Sequence, residues 1–244
     1  MRIHPAVAAL LDSPFSLRQP SSKSEAALGA AALREAHKDW LASAQTRFVL
    51  EDMGSYAEGA PLQQCFLLGD LLSRFSAARA FVDPILHTTL ALMSQHRLGE
   101  TPFNFRISQG FATIQLASQA GVTLSLIVYE PLPQSQKPST ALFSDCDVHE
   151  VVLEGAASGM KHHRRSDAEV KSNHQTWRAG DTITLDGRAH ARDVVAVESA
   201  FSLLRLTREP NHPKPTQLVS LETGHTLHTA SGDKSASQAV MALS

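Results

Sequence analysis

The spacing of apolar residues changes once along this chain, from intervals of three and four to intervals of two, and the change falls just after Gly99. Before it, side chains recur on one face of a helix; after it, alternate residues share one side of a strand. The pattern predicts an α+β protein: a helical region over residues 1–100, an antiparallel β-sandwich or barrel over 101–230, and a flexible tail over 231–244. The boundary is expected between Gly99 and Pro102.

Three helical segments are legible. Ser22 to Glu25 has capping-box spacing, and Leu28, Ala32, Ala36, Trp40, Ala44 and Phe48 follow on one face. Pro61 to Ala80 carries Leu62, Phe66, Leu67, Leu71 and Phe75 at similar intervals. In the third, Asp83 stands where it can cap, Pro84 where a first turn tolerates proline, and Gly99 as a stop behind His96 and Arg97. Strands are predicted at Phe103 to Ile107, Phe111 to Ala117, Val122 to Tyr129, Val148 to Leu153, Thr182 to Leu185, Val194 to Val197 and Phe201 to Leu206. Gln119 to Gly121 is a tight connection. Pro131 to Ser139 is a loop, and the tail beyond Ser231 is either a docking peptide or simply disordered.

The 244 residues, 43% of them apolar and 19% charged, suit a soluble globular protein whose core needs no disulfides. The formal charge of -2 gives no field that would draw the chain to nucleic acid or an anionic membrane, and neither is expected as a partner. No run approaches the ~18 apolar residues that span a bilayer. Cys65 and Cys146 lie far apart without a secretory leader, so both are read as reduced thiols and the cytoplasm as the expected location.

The chemically informative stretch runs from Trp177 to His190, with Gly180, Asp186, Gly187 and His190 in a strand-turn-strand pattern, followed by the strand from Phe201 to Leu206. This stretch resembles the second motif of the cupin superfamily, a jelly-roll or double-stranded β-helix fold. In that family the corresponding histidine looks into the barrel and ligates a metal, so the resemblance makes His190 the first candidate ligand. The family's first motif supplies His-x-His and a later glutamate, and residues 145–155 resemble it in two alternative registers. Matching Gly155 to the motif's turn glycine puts the ligand positions near Ala141, Phe143 and Val148, none of which binds metal. Matching the ligands instead gives Asp147, His149 and Glu154, which with His190 make a mixed N/O set suited to iron or another divalent metal. His149 and Glu154 differ by five residues, so on a regular strand they face opposite sides.

The remaining polar features are weaker. His162 to Arg165 is either an anion- or metal-binding patch or a solvated strand edge. His225 and His228 suit a surface turn, and Cys146 suits a small buried residue rather than a redox thiol. Hydrolase and nucleotide-binding motifs are absent from the sequence.

Two functional expectations follow. One is a cupin-like protein with little or no catalytic metal, whose barrel binds a small molecule or serves as a platform for a homodimer while the helices cover one mouth. The other is an iron-dependent, dioxygenase-type enzyme acting on a small thiol or acid through His190, His149, Glu154 and Asp147. Cysteine dioxygenase-like cupins are similar to this chain in placing helices before the barrel, although their iron-binding histidine trio has no counterpart here at matching positions.

Overall fold

The computed structural model describes residues 23–96, 101–108, 110–131 and 137–231. Ser22 of the expected capping box, the Gly99 stop, most of the proline-rich loop and the tail beyond Ser231 lie outside them. Among the described residues four helices come first: α1 (Lys23–Ala42), α2 (Ala44–Ala57), α3 (Phe66–Ser73) and α4 (Phe75–Gln95). A 3₁₀ turn, Leu62–Gln64, precedes α3. Among the described residues no helix is long and apolar enough to cross a membrane.

The first predicted helix is two. Ser43 interrupts it, and its hydroxyl accepts from Thr46 N at 3.3 Å as the cap of α2. The break rotates the buried stripe, so Leu28, Ala44 and Phe48 are exposed while Leu33, Val49, Met53 and Tyr56 are buried. The third predicted helix starts earlier than its proline suggests. Helix α4 begins at Phe75 and runs through Pro84, because Ala78, Phe81, Val82, Ile85 and Thr89 form one continuous buried face across it. Asp83 pairs with Arg79 at 2.9 Å instead of capping. The start of α3 is capped from another helix, with Asp52 Oδ2 accepting from Leu67 N and Leu68 N at 2.7 and 2.9 Å.

Among the described residues twelve strands follow: β1 (Asn104–Ser108), β2 (Phe111–Gln119), β3 (Val122–Tyr129), β4 (Thr140–Phe143), β5 (Asp147–Glu154), β6 (Ala156–Ser166), β7 (Glu169–Arg178), β8 (Thr182–Asp186), β9 (His190–Val197), β10 (Phe201–Arg208), β11 (Thr216–Ser220) and β12 (Thr226–Ala230). All pairings are antiparallel. They form a six-stranded sheet, β1-β2-β3-β10-β5-β8, and two three-stranded sheets, β7-β6-β9 and β12-β11-β4. The result is a sandwich; the sheets do not join into a closed barrel. The β2–β3 connection is the expected hairpin, with Ala120 and Gly121 both at positive φ (47° and 83°), as a two-residue turn that follows strand twist requires.

The central strands of the six-stranded sheet are apolar on both faces, which explains the layering. Val122, Leu124, Leu126, Val128, Val151, Leu153, Leu204 and Leu206 face the helices and share one core with Met53, Leu68, Phe81 and Ile85. Ile127, Val152, Phe201 and Leu203 face the other way and pack on Ala157, Trp177 and Val197 of the β7-β6-β9 sheet. Each fully buried side chain of this size contributes roughly 1.5–3 kcal/mol, so the helices and the sheet stabilise each other through that shared core.

Gly155 ends β5 at φ 81°, and a Cβ there would lie 2.0 Å from Ala200 O. Gly155→Ala is therefore expected to destabilise the fold by about 2 kcal/mol or more. Urea unfolding followed by fluorescence of Trp40 and Trp177 checks this; an unchanged midpoint would show that the turn relaxes freely.

Candidate functional site

In the middle of β5 the inward-facing residues are Val148, Glu150 and Val152, and in β10 they are Leu203 and Arg205, because Glu150 and Arg205 are directly paired across the two strands. Opposite them, Arg192 on β9 reaches from the smaller sheet. Glu150 Oε1 accepts from Arg192 at 2.9 Å and from Arg205 Nε at 2.6 Å, so one carboxylate ties the two sheets together. The Glu150 and Arg192 side chains are 0% and 3% exposed. Arg192 also lies over the Trp177 ring, 5.0 Å from its centroid. Burial works against the charge on Arg205, but the adjacent Glu150 carboxylate outweighs it and holds the guanidinium pKa above its ordinary value.

This group is incomplete in itself. Glu150 Oε2 and Arg192 Nη1 are both buried and have no hydrogen-bond partner among the described residues. One is an acceptor and the other a donor, and they flank the same Arg–Glu contact. Next to Arg192 the inward face continues with His190 on its own strand and, across the pairing, Lys161 and His163 on β6. The His163 and His190 rings stack at 4.8 Å and 17°. Burial, Lys161 and His163 together lower the His190 pKa, and its Nδ1 is another buried atom without a partner among the described residues.

The residues expected to bind metal are not brought together. Asp147 and His149 lie on the opposite, helix-facing side of β5, where Arg208 binds Asp147 at 2.6 Å and stacks 4.0 Å above the Tyr56 ring. His149 Nε2 sits 3.1 Å from the Tyr56 hydroxyl and Nδ1 3.3 Å from Thr184 Oγ1. Glu154 is at the far end of the strand, about 16 Å along the backbone from His149 at ~3.3 Å per residue. His190 faces inward from a different sheet. Among the described residues no three His, Cys, Asp or Glu side chains are grouped to hold a metal ion.

His162 does not lie on a solvated edge. Strand β6 is the middle strand of its sheet, and His162 is buried, bonded to Ser172 Oγ at 2.7 Å and Asp193 Oδ2 at 2.9 Å. His225 and His228 are exposed, with His228 on β12 rather than in a turn. Cys146 is half-buried and bonded to Ser144 Oγ, and burial pushes its thiol pKa up. It borders a cleft of about 330 Å³ with Glu58, Asp145 and Asp186. The carboxylate of Asp145 is already held there by Arg188 and Lys214 N.

No protein-family model matches the chain, and no curated protein matches it in sequence. Solved structures do overlap it. The Drosophila melanogaster CENP-C cupin domain is 17% identical, with 47% of this chain on 90% of that one and a TM-score of 0.34. A sugar phosphate isomerase of the cupin superfamily from Silicibacter pomeroyi is 13% identical, with 50% on 85% and a TM-score of 0.35. The Momordica charantia 7S globulin is 14% identical over 48% of this chain, which spans only 35% of the globulin, with a TM-score of 0.35. What the sandwich does depends on its own residues, and its interior differs from the expected metal set: Glu150, Arg192 and Arg205 occupy the inner face, and none was a sequence candidate.

The helix-facing side of β5 responds to pH. Burial pushes the Tyr56 phenol up to about 12, so it stays protonated, and burial lowers the His149 pKa from its ordinary 6.5. The arrangement suits a neutral ring that accepts from the phenol at Nε2 and donates from Nδ1 to Thr184. Folding favours that neutral form, so the stability it supports is complete above pH 6.5 and is lost as the pH falls below 6.5 toward the lowered folded value. His190 acts in the same direction. The melting temperature is expected to fall between about pH 7.5 and about pH 5, and His149→Gln to flatten that fall in thermal melts followed by circular dichroism. An equally steep fall in the variant would remove His149 as a cause.

Proposed function

We propose that the cupin-like sandwich is a binding module for a small polar molecule held between its sheets by Glu150, Arg192 and Arg205, and that it works without a catalytic metal. The observation that carries this reading is the pair of buried, unpartnered atoms Glu150 Oε2 and Arg192 Nη1. Leaving such groups unpaired costs about 1–3 kcal/mol each, and more when they are charged. A bound molecule with one donor and one acceptor removes both costs. The ion group is not explained by stability alone, since apolar replacements of buried ion groups are often neutral or stabilising.

The local field supports the second part. A divalent cation beside His190 would sit near Lys161 and Arg192, and the carboxylates of the expected set face elsewhere or lie far along β5. Those residues do not fit an iron site. The expected homodimer has a natural seam at β1, an edge strand of the large sheet among the described residues, where Phe105 and Ile107 are 61% and 70% exposed.

A thermal-shift panel of neutral polyols, amino acids, hydroxy acids and phosphate esters is expected to contain one class that raises the melting temperature by about 5–10 °C at a hundredfold excess over Kd. That shift is expected to vanish in Arg192→Met and in the gentler Arg192→Lys, which keeps the charge; the absence of a shift with every class would overturn the binding reading. Metal analysis after expression with added iron is expected to find less than one equivalent, whereas one tightly held equivalent that His190→Ala removes would restore the dioxygenase reading. Sedimentation velocity is expected to show a dimer that Phe105→Ser weakens, and a monomer at all concentrations would exclude the seam.

A further inference from the structure

The inward face of the smaller sheet is apolar at the Ala157, Trp177 and Val197 end and basic beyond it, and this restricts what could fill the site. Arg192 is buried, Lys161 and His190 are half-buried, and His163 is exposed, so the basic groups run from the rim to the interior. The Lys161 side chain makes no hydrogen bond or salt bridge among the described residues, and the residue stands directly across the β6–β9 pairing from Arg192. Three permanent cations, Lys161, Arg192 and Arg205, face a single carboxylate, Glu150, and that carboxylate uses only one oxygen. Asp193, the nearest acid on β9, is one residue out of phase and is bound to His162 on the other face. Asp186, at the turn before β9, acts on the His190 end of the row.

We infer that the molecule bound between the sheets is a small hydroxycarboxylate, its carboxylate met by Arg192 Nη1 and Lys161 and its hydroxyl donating to Glu150 Oε2. This rests on the binding reading above and adds the ligand's charge and its donor. The carboxylate supplies the counter-charge that the basic row lacks, and charge-assisted bonds to guanidinium and ammonium are the strong ones. The hydroxyl is needed because Glu150 Oε2 would otherwise face the ligand's own negative charge. A neutral diol satisfies Glu150 but leaves the row uncompensated; a simple carboxylate does the reverse.

Four probes separate these cases: glycolate, acetate, ethylene glycol, and sodium chloride at matched ionic strength. Backbone amide shifts of Glu150, Arg192 and Arg205, followed by nuclear magnetic resonance on the full chain, report binding. Glycolate is expected to bind most tightly, acetate more weakly, and ethylene glycol and chloride without saturation. Lys161→Gln, a half-buried position whose change leaves the triad intact, is expected to weaken glycolate about fivefold or more, the effect of one charge near a surface. Ethylene glycol binding as well as glycolate would overturn the anion assignment and leave the binding module standing. An unchanged glycolate Kd in Lys161→Gln would overturn the role of the basic row. Saturation by none of the probes would overturn the anion assignment, and if the wider panel also fails, the two orphan atoms are bridged by water and the binding reading falls with it.

Discussion

The six-stranded sheet must be covered on both sides, and most of the architecture answers to that requirement. Strands β3, β5 and β10 put apolar residues on alternate positions of both phases: Leu124, Val151 and Leu204 toward the helices, Ile127, Val152 and Leu203 toward the smaller sheet. A sheet with two apolar faces is unstable as an outer layer. The four helices supply one cover and the β7-β6-β9 sheet the other. The helical region therefore cannot be understood apart from the sheet, because Met53 and Phe81 of the helices belong to the same core as Leu126 of β3.

Within that double burial, one row of the inner face departs from apolar character. Glu150 and Arg205 are neighbours across the β5–β10 pairing, and Arg192 meets them from the facing sheet. An interior charge is costly unless paired, and here the pairing is one oxygen short on the acid and one nitrogen short on the base. The row therefore holds the two sheets in a defined spacing and also keeps one acceptor and one donor uncommitted. Those two roles are compatible because Glu150 Oε1 takes both arginines, freeing Oε2 for a different partner.

Much of the fold was legible because it rests on periodicity. The hairpin at Ala120 and Gly121, strand β3, and the central parts of β5, β8 and β10 fall where alternation and turn residues place them. Strands β6 and β7 escaped, since one of their faces is polar and residues such as His162, Arg164 and His174 break any apolar alternation. The helix boundaries slipped for a related reason: Ser43 is an ordinary residue in a helical pattern until its cap to Thr46 is seen, and Pro84 reads as a start although a continuous buried face carries α4 through it. The site was less legible than the fold. A lone glutamate between Val148 and Val152, and a lone arginine within Phe201 to Leu206, were the available signals, each a charge at an inward phase of an otherwise apolar strand.

His190 shows how a motif can fix a position without fixing its chemistry. The Asp186–Gly187 turn starts β9 with His190, and the alternation that sends Arg192 inward sends His190 inward too. What surrounds an inward histidine then decides its use. A metal site needs further lone pairs from carboxylates or imidazoles converging on one point, but the expected acids of β5 lie on its helix-facing side or at its end, and the groups that do converge are Lys161, His163 and Arg192. A cation is repelled by such a set, whereas an anion is attracted by it. The change of one strand phase, which turns Asp147 and His149 toward Tyr56 and Arg208 and brings Glu150 inside, is enough to convert a scaffold that resembles a metal centre into one whose interior favours negative charge.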